Sequence, residues 1–128
     1  MIYIDTSALL KLVHPETESM PLRTWLARHP ADLVSSALIR TEGRRALLRN
    51  DPAVLPHLPA VLSVIAQIPV SESVLDRAAM LADPQLRALD AIHLASAQEV
   101  PGIMAMLVYD KRLADAARHV GIEVASPA

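Results

Sequence analysis

Four acidic residues stand out in this chain because of their surroundings. Asp5 ends the apolar run Met1-Ile2-Tyr3-Ile4, and Asp110 ends Leu107-Val108-Tyr109 in the same manner. Asp90 lies in "RALDAIHLASA", where a carboxylate is poorly hydrated and needs donors, a cation or a proton. Glu42 lies in "IRTEGRRALLRN". If these groups shared one place, two carboxylates about 4 Å apart would repel by about 4 kcal/mol at an effective dielectric of about 20. Such a cluster holds together only with bound protons or a divalent cation. The chain has no cysteine, and an all-oxygen ligand set selects Mg²⁺ or Mn²⁺ over zinc. Those ions clamp phosphate oxygens and activate water for in-line attack on a phosphodiester.

Taken singly, each acid also has an ordinary reading. Asp5, with Thr6 and Ser7 behind it, can cap a helix built on Ala8, Leu9, Leu10, Leu12 and Val13. Asp110 can cap the helix after it, and Asp90 a helix from Ala91 to Glu99. At about 100° per residue, Arg45 and Arg49 fall within about 60° of Glu42, which allows a solvated ion pair. Such a pair is worth under about 1 kcal/mol. Local sequence alone leaves both readings open.

The elements that must position these residues alternate strand and helix. Met1–Ile4 reads as a short buried strand, followed by the helix from Ala8 and a more exposed one in "PETESMPLRTWLARHP". "ADLVSS" is the second strand, and Ser35 or Ser36 can cap "ALIRTEGRRALLRN". Pro56 and Pro59 interrupt the segment after Asp51-Pro52, which then runs as a helix to Gln67, with the third strand in "IPVSES". "VLDRAAMLAD" and "LRALDAIHLASAQEV" are helices, "IMAMLVYD" is a strand, "KRLADAARHVG" a helix and "IEVAS" a last strand. This order predicts an α/β fold: a three-layer α/β/α sandwich with a mostly parallel sheet, right-handed crossovers and a single domain over residues 1–128. In such sheets ligands bind beyond the carboxyl ends of the strands, where the strand order reverses. Asp5 and Asp110 both fall at strand carboxyl ends.

Composition narrows the classes. Hydrophobic residues make up 52% of the 128, with a mean hydropathy of +0.31, which excludes disorder. No apolar stretch approaches the roughly 20 residues of a membrane span, and residues 1–20 carry no secretory pattern. The absence of cysteine fits the cytoplasm. Net charge is −2, so the chain is not an overtly basic nucleic-acid binder, although an acidic site would mask a basic stripe in that sum. Trp25, Tyr3 and Tyr109 are the only aromatics, too few for a base-stacking platform.

The four acids also fall in a recognisable set of motifs. "YIDTSALLKL", "SSALIRTEGRRAL", "LRALDAIHLASA" and "VYDKRLADAA" resemble the acidic motifs of PIN-domain ribonucleases, above all the VapC-type toxins of type II toxin–antitoxin modules. The resemblance runs from Met1 to about Val124; its first and third motifs are the most specific, and the one around Glu42 is the loosest. It implies a metal-dependent endoribonuclease toxin that cleaves RNA with a metal-activated water. Asp5 and Asp90 would be the principal Mg²⁺ or Mn²⁺ ligands, Glu42 and Asp110 direct or water-mediated ones, and Ser7 the supporting polar residue. It further implies a cognate antitoxin and a homodimer, and the high apolar fraction with the mixed helices at Ala8–Val13 and Glu16–Arg28 offers Leu9, Leu12, Leu22, Trp25 and Leu26 as a candidate covered surface. The alternative is a non-catalytic PIN module that binds RNA or protein, against which the complete acidic set argues. A receiver domain would need an adjacent early acidic pair, and an α/β phosphatase a second Asp after the first strand. His93, three residues after Asp90, is expected to pack behind the site rather than to act as a ligand or general acid. The motif leaves Asp110 and Asp115 as rivals for the fourth acid.

Overall fold

A computed structural model describes all 128 residues. One five-stranded sheet runs through the molecule in the order β3-β2-β1-β4-β5. Its strands are β1 (Ile2–Ile4), β2 (Leu33–Ser36), β3 (Ile65–Ile68), β4 (Ala105–Leu107) and β5 (Val124–Ala125). Every pairing is parallel, with Ile4 of β1 beside Leu107 of β4. Seven α-helices connect the strands: α1 (Thr6–Val13), α2 (Ser19–Arg28), α3 (Leu38–Asn50), α4 (Leu58–Leu62), α5 (Glu72–Ala79), α6 (Ala88–Gln98) and α7 (Lys111–His119).

Strand alternation sends β1 into two separate cores. Tyr3 packs with Leu94, Ala97, Met106, Val108, Leu113 and Ala117 on the α6–α7 side. Ile2 and Ile4 pack with Leu9, Leu22, Ile39, Leu47 and Leu58 on the α1–α4 side. These are the three layers expected. Because both faces of the sheet are covered, β1 and β4 are buried along their length, and β2 buries even its two serines, Ser35 and Ser36.

Two expectations change. The third strand is Ile65–Ile68, so the helix predicted to reach Gln67 ends at Leu62. Pro52, Pro56 and Pro59 restrict this stretch to a 3₁₀ segment (Pro52–His57) and the short α4. The freed residues then pair with β2, from Leu33 beside Ile65 to Ser36 beside Ile68. The second change concerns the apolar surface proposed on α1 and α2. Leu9 and Leu22 are fully buried in this chain's own core, and Leu12, Trp25 and Leu26 pack partly against it.

The strand order reverses at β1, whose neighbours β2 and β4 lie on opposite sides. The β1 and β4 carboxyl ends are tied by the Asp5 N–H, which donates to the Leu107 carbonyl at 3.0 Å. Asp5, Ser7, Tyr109 and Asp110 all meet at this crevice.

Candidate active site

Asp5 is a cap and a site residue at once. Its extended backbone starts α1, and Oδ2 accepts from the Ser7 N–H at 3.2 Å and the Ser7 hydroxyl at 2.7 Å. The Ser7 Oγ accepts in turn from the Tyr109 N–H at 2.9 Å, so one hydroxyl clamps the ends of β1 and β4 together. With Oδ2 committed to the helix, Oδ1 faces the His93 Nε2 at 3.8 Å. Only 4% of Asp5 is exposed.

Glu42 does not pair with Arg45 or Arg49. Its Oε1 accepts from the Thr6 hydroxyl at 3.0 Å and lies 2.6 Å from the His93 Nε2. His93 is 1% exposed, and its Nδ1 lies 2.8 Å from the Tyr3 hydroxyl oxygen, which itself accepts from the Ser36 N–H at 3.0 Å. Burial pulls the His93 pKa down. The Glu42 hydrogen bond and the charges of Asp5, Glu42 and Asp90 outweigh it, and the result lies above the ordinary 6.5. Burial likewise works against ionised Glu42, yet the hydrogen bond and charge of His93 hold its pKa below the ordinary 4.5. Each partner thus favours the charged form of the other: Glu42 the protonated ring, and His93 the ionised carboxylate. With Nε2–H donating to Glu42, a neutral ring accepts the Tyr3 proton at Nδ1, whereas a charged ring donates from both nitrogens and sends that proton elsewhere. The buried Ser35 and Ser96 hydroxyls, otherwise without partners, bear on the ionisation of that same group.

Asp90 sits in the first turn of α6 rather than at its cap, and no hydrogen bond or ion pair holds its carboxylate there. Burial, then the charges of Asp5 and Asp110, push its pKa above the ordinary 3.8; Glu42 adds to this and His93 opposes it. That shared field brings all four acids into one neighbourhood. Asp110 caps α7 by accepting from the Leu113 N–H at 2.9 Å. Asp115 is exposed and pairs with Arg118 at 3.3 Å, so it does not join the group. Arg112 donates to the Gln85 carbonyl at 3.2 Å, outside the cluster. No lysine or arginine pairs with Asp5, Glu42, Asp90 or Asp110; His93 is the one basic side chain within reach of them. As the side chains stand, no three His, Asp or Glu groups close on a single point tightly enough to hold an ion.

His93 packs behind the site as expected, but its partners Glu42 and Tyr3 were not legible from its neighbours. It is flanked by buried Ala91, Leu94 and Ala95, which give it the look of a packed core residue. The available signal was the polar tip of Tyr3 inside an apolar strand, since a buried tyrosine hydroxyl needs a partner.

These shifts set the pH dependence of the metal-free protein. The lowered Glu42 contributes stability that is present above 4.5 and is lost as pH falls through its depressed pKa. The raised His93 contributes stability that is complete below 6.5 and is lost as pH rises through its elevated pKa. Asp90 opposes Glu42 on the acid side, its contribution being present below 3.8 and lost as pH rises through its raised value. The melting temperature in chelator should therefore be highest between about 4.5 and 6.5 and fall above that window. Glu42→Gln should flatten the alkaline fall; an equally steep fall in that variant would assign it to other groups.

The model of the PIN domain matches residues 2–119. The chain belongs to the PIN domain family. Ribonuclease VapC35 of Mycobacterium tuberculosis is 40% identical to this PIN domain over 131 residues, covering 99% of this chain and 97% of the relative. Ribonuclease VapC46 of the same organism is 43% identical over 128 residues, covering 98% and 97%. Two solved structures share the PIN fold at lower identity. The M. tuberculosis VapC20 toxin, described as cleaving the sarcin–ricin loop, superposes with a TM-score of 0.76 at 17% identity, covering 99% of this chain and 100% of that one. A toxin–antitoxin complex from Klebsiella pneumoniae gives 0.74 at 21%, covering 100% and 98%.

Proposed function

We propose that this PIN domain is the endoribonuclease toxin of a type II toxin–antitoxin module, a hydrolase that depends on Mg²⁺ or Mn²⁺. One observation carries the reading: four carboxylates gather at the reversal point of the sheet with a single histidine, and no lysine or arginine, to offset them. The donor set fits a hard divalent ion, since it offers carboxylate oxygens and no thiolate, and its nearest imidazole is already committed to Glu42. Asp5 and Asp90 would be the principal ligands, with Glu42 and Asp110 completing the set. Bound there, the ion would supply phosphate clamping and water activation.

The chain's own residues set the stage for that chemistry. Ser7 fixes the Asp5 carboxylate and locks it to Tyr109, so the first ligand is held before any ion arrives. Asp110 stands on the last residue before α7, anchored by the buried Leu107 and Val108. The relatives named as VapC ribonucleases support RNA as the substrate, and the toxin–antitoxin complex of matching fold supports an antitoxin partner. A homodimer, action in the cytoplasm and one functional unit over residues 1–128 belong to the same reading. For the last, the support is that β1 and β2 from the first half share a sheet with β4 and β5 from the second. No helix is long and apolar enough to cross a membrane.

Incubation with structured RNA and Mg²⁺ or Mn²⁺ should yield fragments with 5′-phosphate and 3′-hydroxyl ends, and EDTA should stop it. RNA binding without cleavage in either metal would favour the non-catalytic alternative. Asp110→Asn should weaken Mn²⁺ binding about tenfold or more in a calorimetric titration. Asp115→Asn, which loses only its exposed pairing with Arg118, should match the parent. A larger loss at Asp115 would mean that the fourth ligand lies on α7.

A further inference from the structure

Glu42 reaches the cluster from α3, on one side of the sheet, while His93 reaches it from α6 on the other. Their contact bridges the two helical layers over the sheet's carboxyl edge. Both donors that address Glu42, the Thr6 hydroxyl and the His93 Nε2, converge on Oε1, and Oε2 carries no hydrogen bond. The imidazole cannot turn away, because its Nδ1 is tied to Tyr3, and Tyr3 is tied to the backbone of Ser36 in β2. Ring, tyrosine and β2 amide form a rigid strut behind a flexible glutamate.

We infer that His93 is a positioning residue: with Thr6 in front and Tyr3 behind, it holds Oε1 of Glu42 so that Oε2 is the oxygen offered to the divalent ion. This rests on the nuclease reading above and adds a role that touches neither ion nor RNA. A glutamate side chain left free would lose rotamer entropy on binding the ion, whereas the strut removes that freedom beforehand.

The test is Mn²⁺ titration by calorimetry together with cleavage kinetics on the full chain. His93→Leu removes the donor and should lower Mn²⁺ affinity about tenfold and kcat about thirtyfold, with KM for RNA within about twofold. His93→Gln places an amide nitrogen where it can still donate to Oε1 and should recover most of both losses. A purely structural role would reduce the folded fraction in both variants and leave kcat per folded molecule unchanged. Should His93→Leu fail to fold, Thr6→Val and Tyr3→Phe decide, each with an expected loss of about threefold to tenfold in affinity and kcat. The inference is overturned by a folded His93→Leu with parental affinity and kcat, by a folded Gln variant no better than the Leu variant, or by Thr6→Val and Tyr3→Phe both matching the parent. A parent chain that binds Mn²⁺ but cuts no RNA would overturn the nuclease reading alone, and the calorimetric series would still decide the role of His93.

Discussion

Asp90→Asn should reduce RNA cleavage about a thousandfold and, in the same molecule, raise the melting temperature measured in chelator. The two effects share one cause. Asp90 is held half-buried among Asp5, Asp110 and Glu42 with no donor of its own, so its ionised form is disfavoured in the fold. Removing that charge relieves the repulsion; allowing for solvent screening of a partly exposed group, the gain should be roughly 1–3 °C. Asp5→Asn should lose as much activity without the gain. An asparagine still caps α1 and accepts from Ser7, but it gives up its charge beside His93. Thermal melts with EDTA and with Mn²⁺ would separate the two variants. Full activity in a folded Asp90→Asn would remove Asp90 from the site, and a lower melting temperature would mean that the carboxylate has a favourable partner.

The contrast between these acids shows what the sequence could and could not convey. Asp5 and Asp110 were legible because a buried strand that stops on a carboxylate leaves it at the sheet's edge whichever helix follows. Choosing between cap and ligand was never necessary for Asp5, since one oxygen does the first job and the other remains available. Asp110 is separated from Asp115 by chain direction: the first follows the buried β4 by three residues and caps α7, and the second lies past the first turn of that helix, which carries it into solvent.

Long-range polar partners were not legible. Glu42 has Arg45 and Arg49 at helical spacing, and a local rule assigns it to them. The structure gives it Thr6 and His93 instead, 36 and 51 residues away, because α1 and α6 converge on the crevice. The displaced third strand has a related origin. After Pro59 the local choice between helix and strand at Val64–Gln67 is close, and pairing with β2 settles it. Leu9 and Leu22 went astray for a different reason: an amphipathic stripe looks the same whether it is covered by its own chain or by a partner.

Gly43→Val should destabilise the protein by about 3 kcal/mol and disable the site in whatever fraction stays folded. A Cβ at this position would lie 2.7 Å from Cδ2 of Leu9 and 3.7 Å from Cδ1 of Leu58. Leu9 is fully buried between α1 and the sheet, so its methyl has no free space to yield. Mid-helix glycine costs about 1 kcal/mol relative to alanine, and α3 carries that cost where it lies closest to α1. The close approach is also what sets the neighbouring Glu42 within 3.0 Å of Thr6, the first residue of α1. Valine adds two further carbons and must drive the helices apart, breaking the Thr6 contact before any ion or RNA is involved. Gly43→Ala gains helix propensity and loses packing against Leu9, and should therefore fall between the parent and valine. Urea unfolding of all three, with Mn²⁺ titration of the folded protein, would test this. A valine variant as stable as the parent would mean that α1 and α3 can separate freely, and then the packing of these two helices could not be what carries Glu42 to the acidic centre.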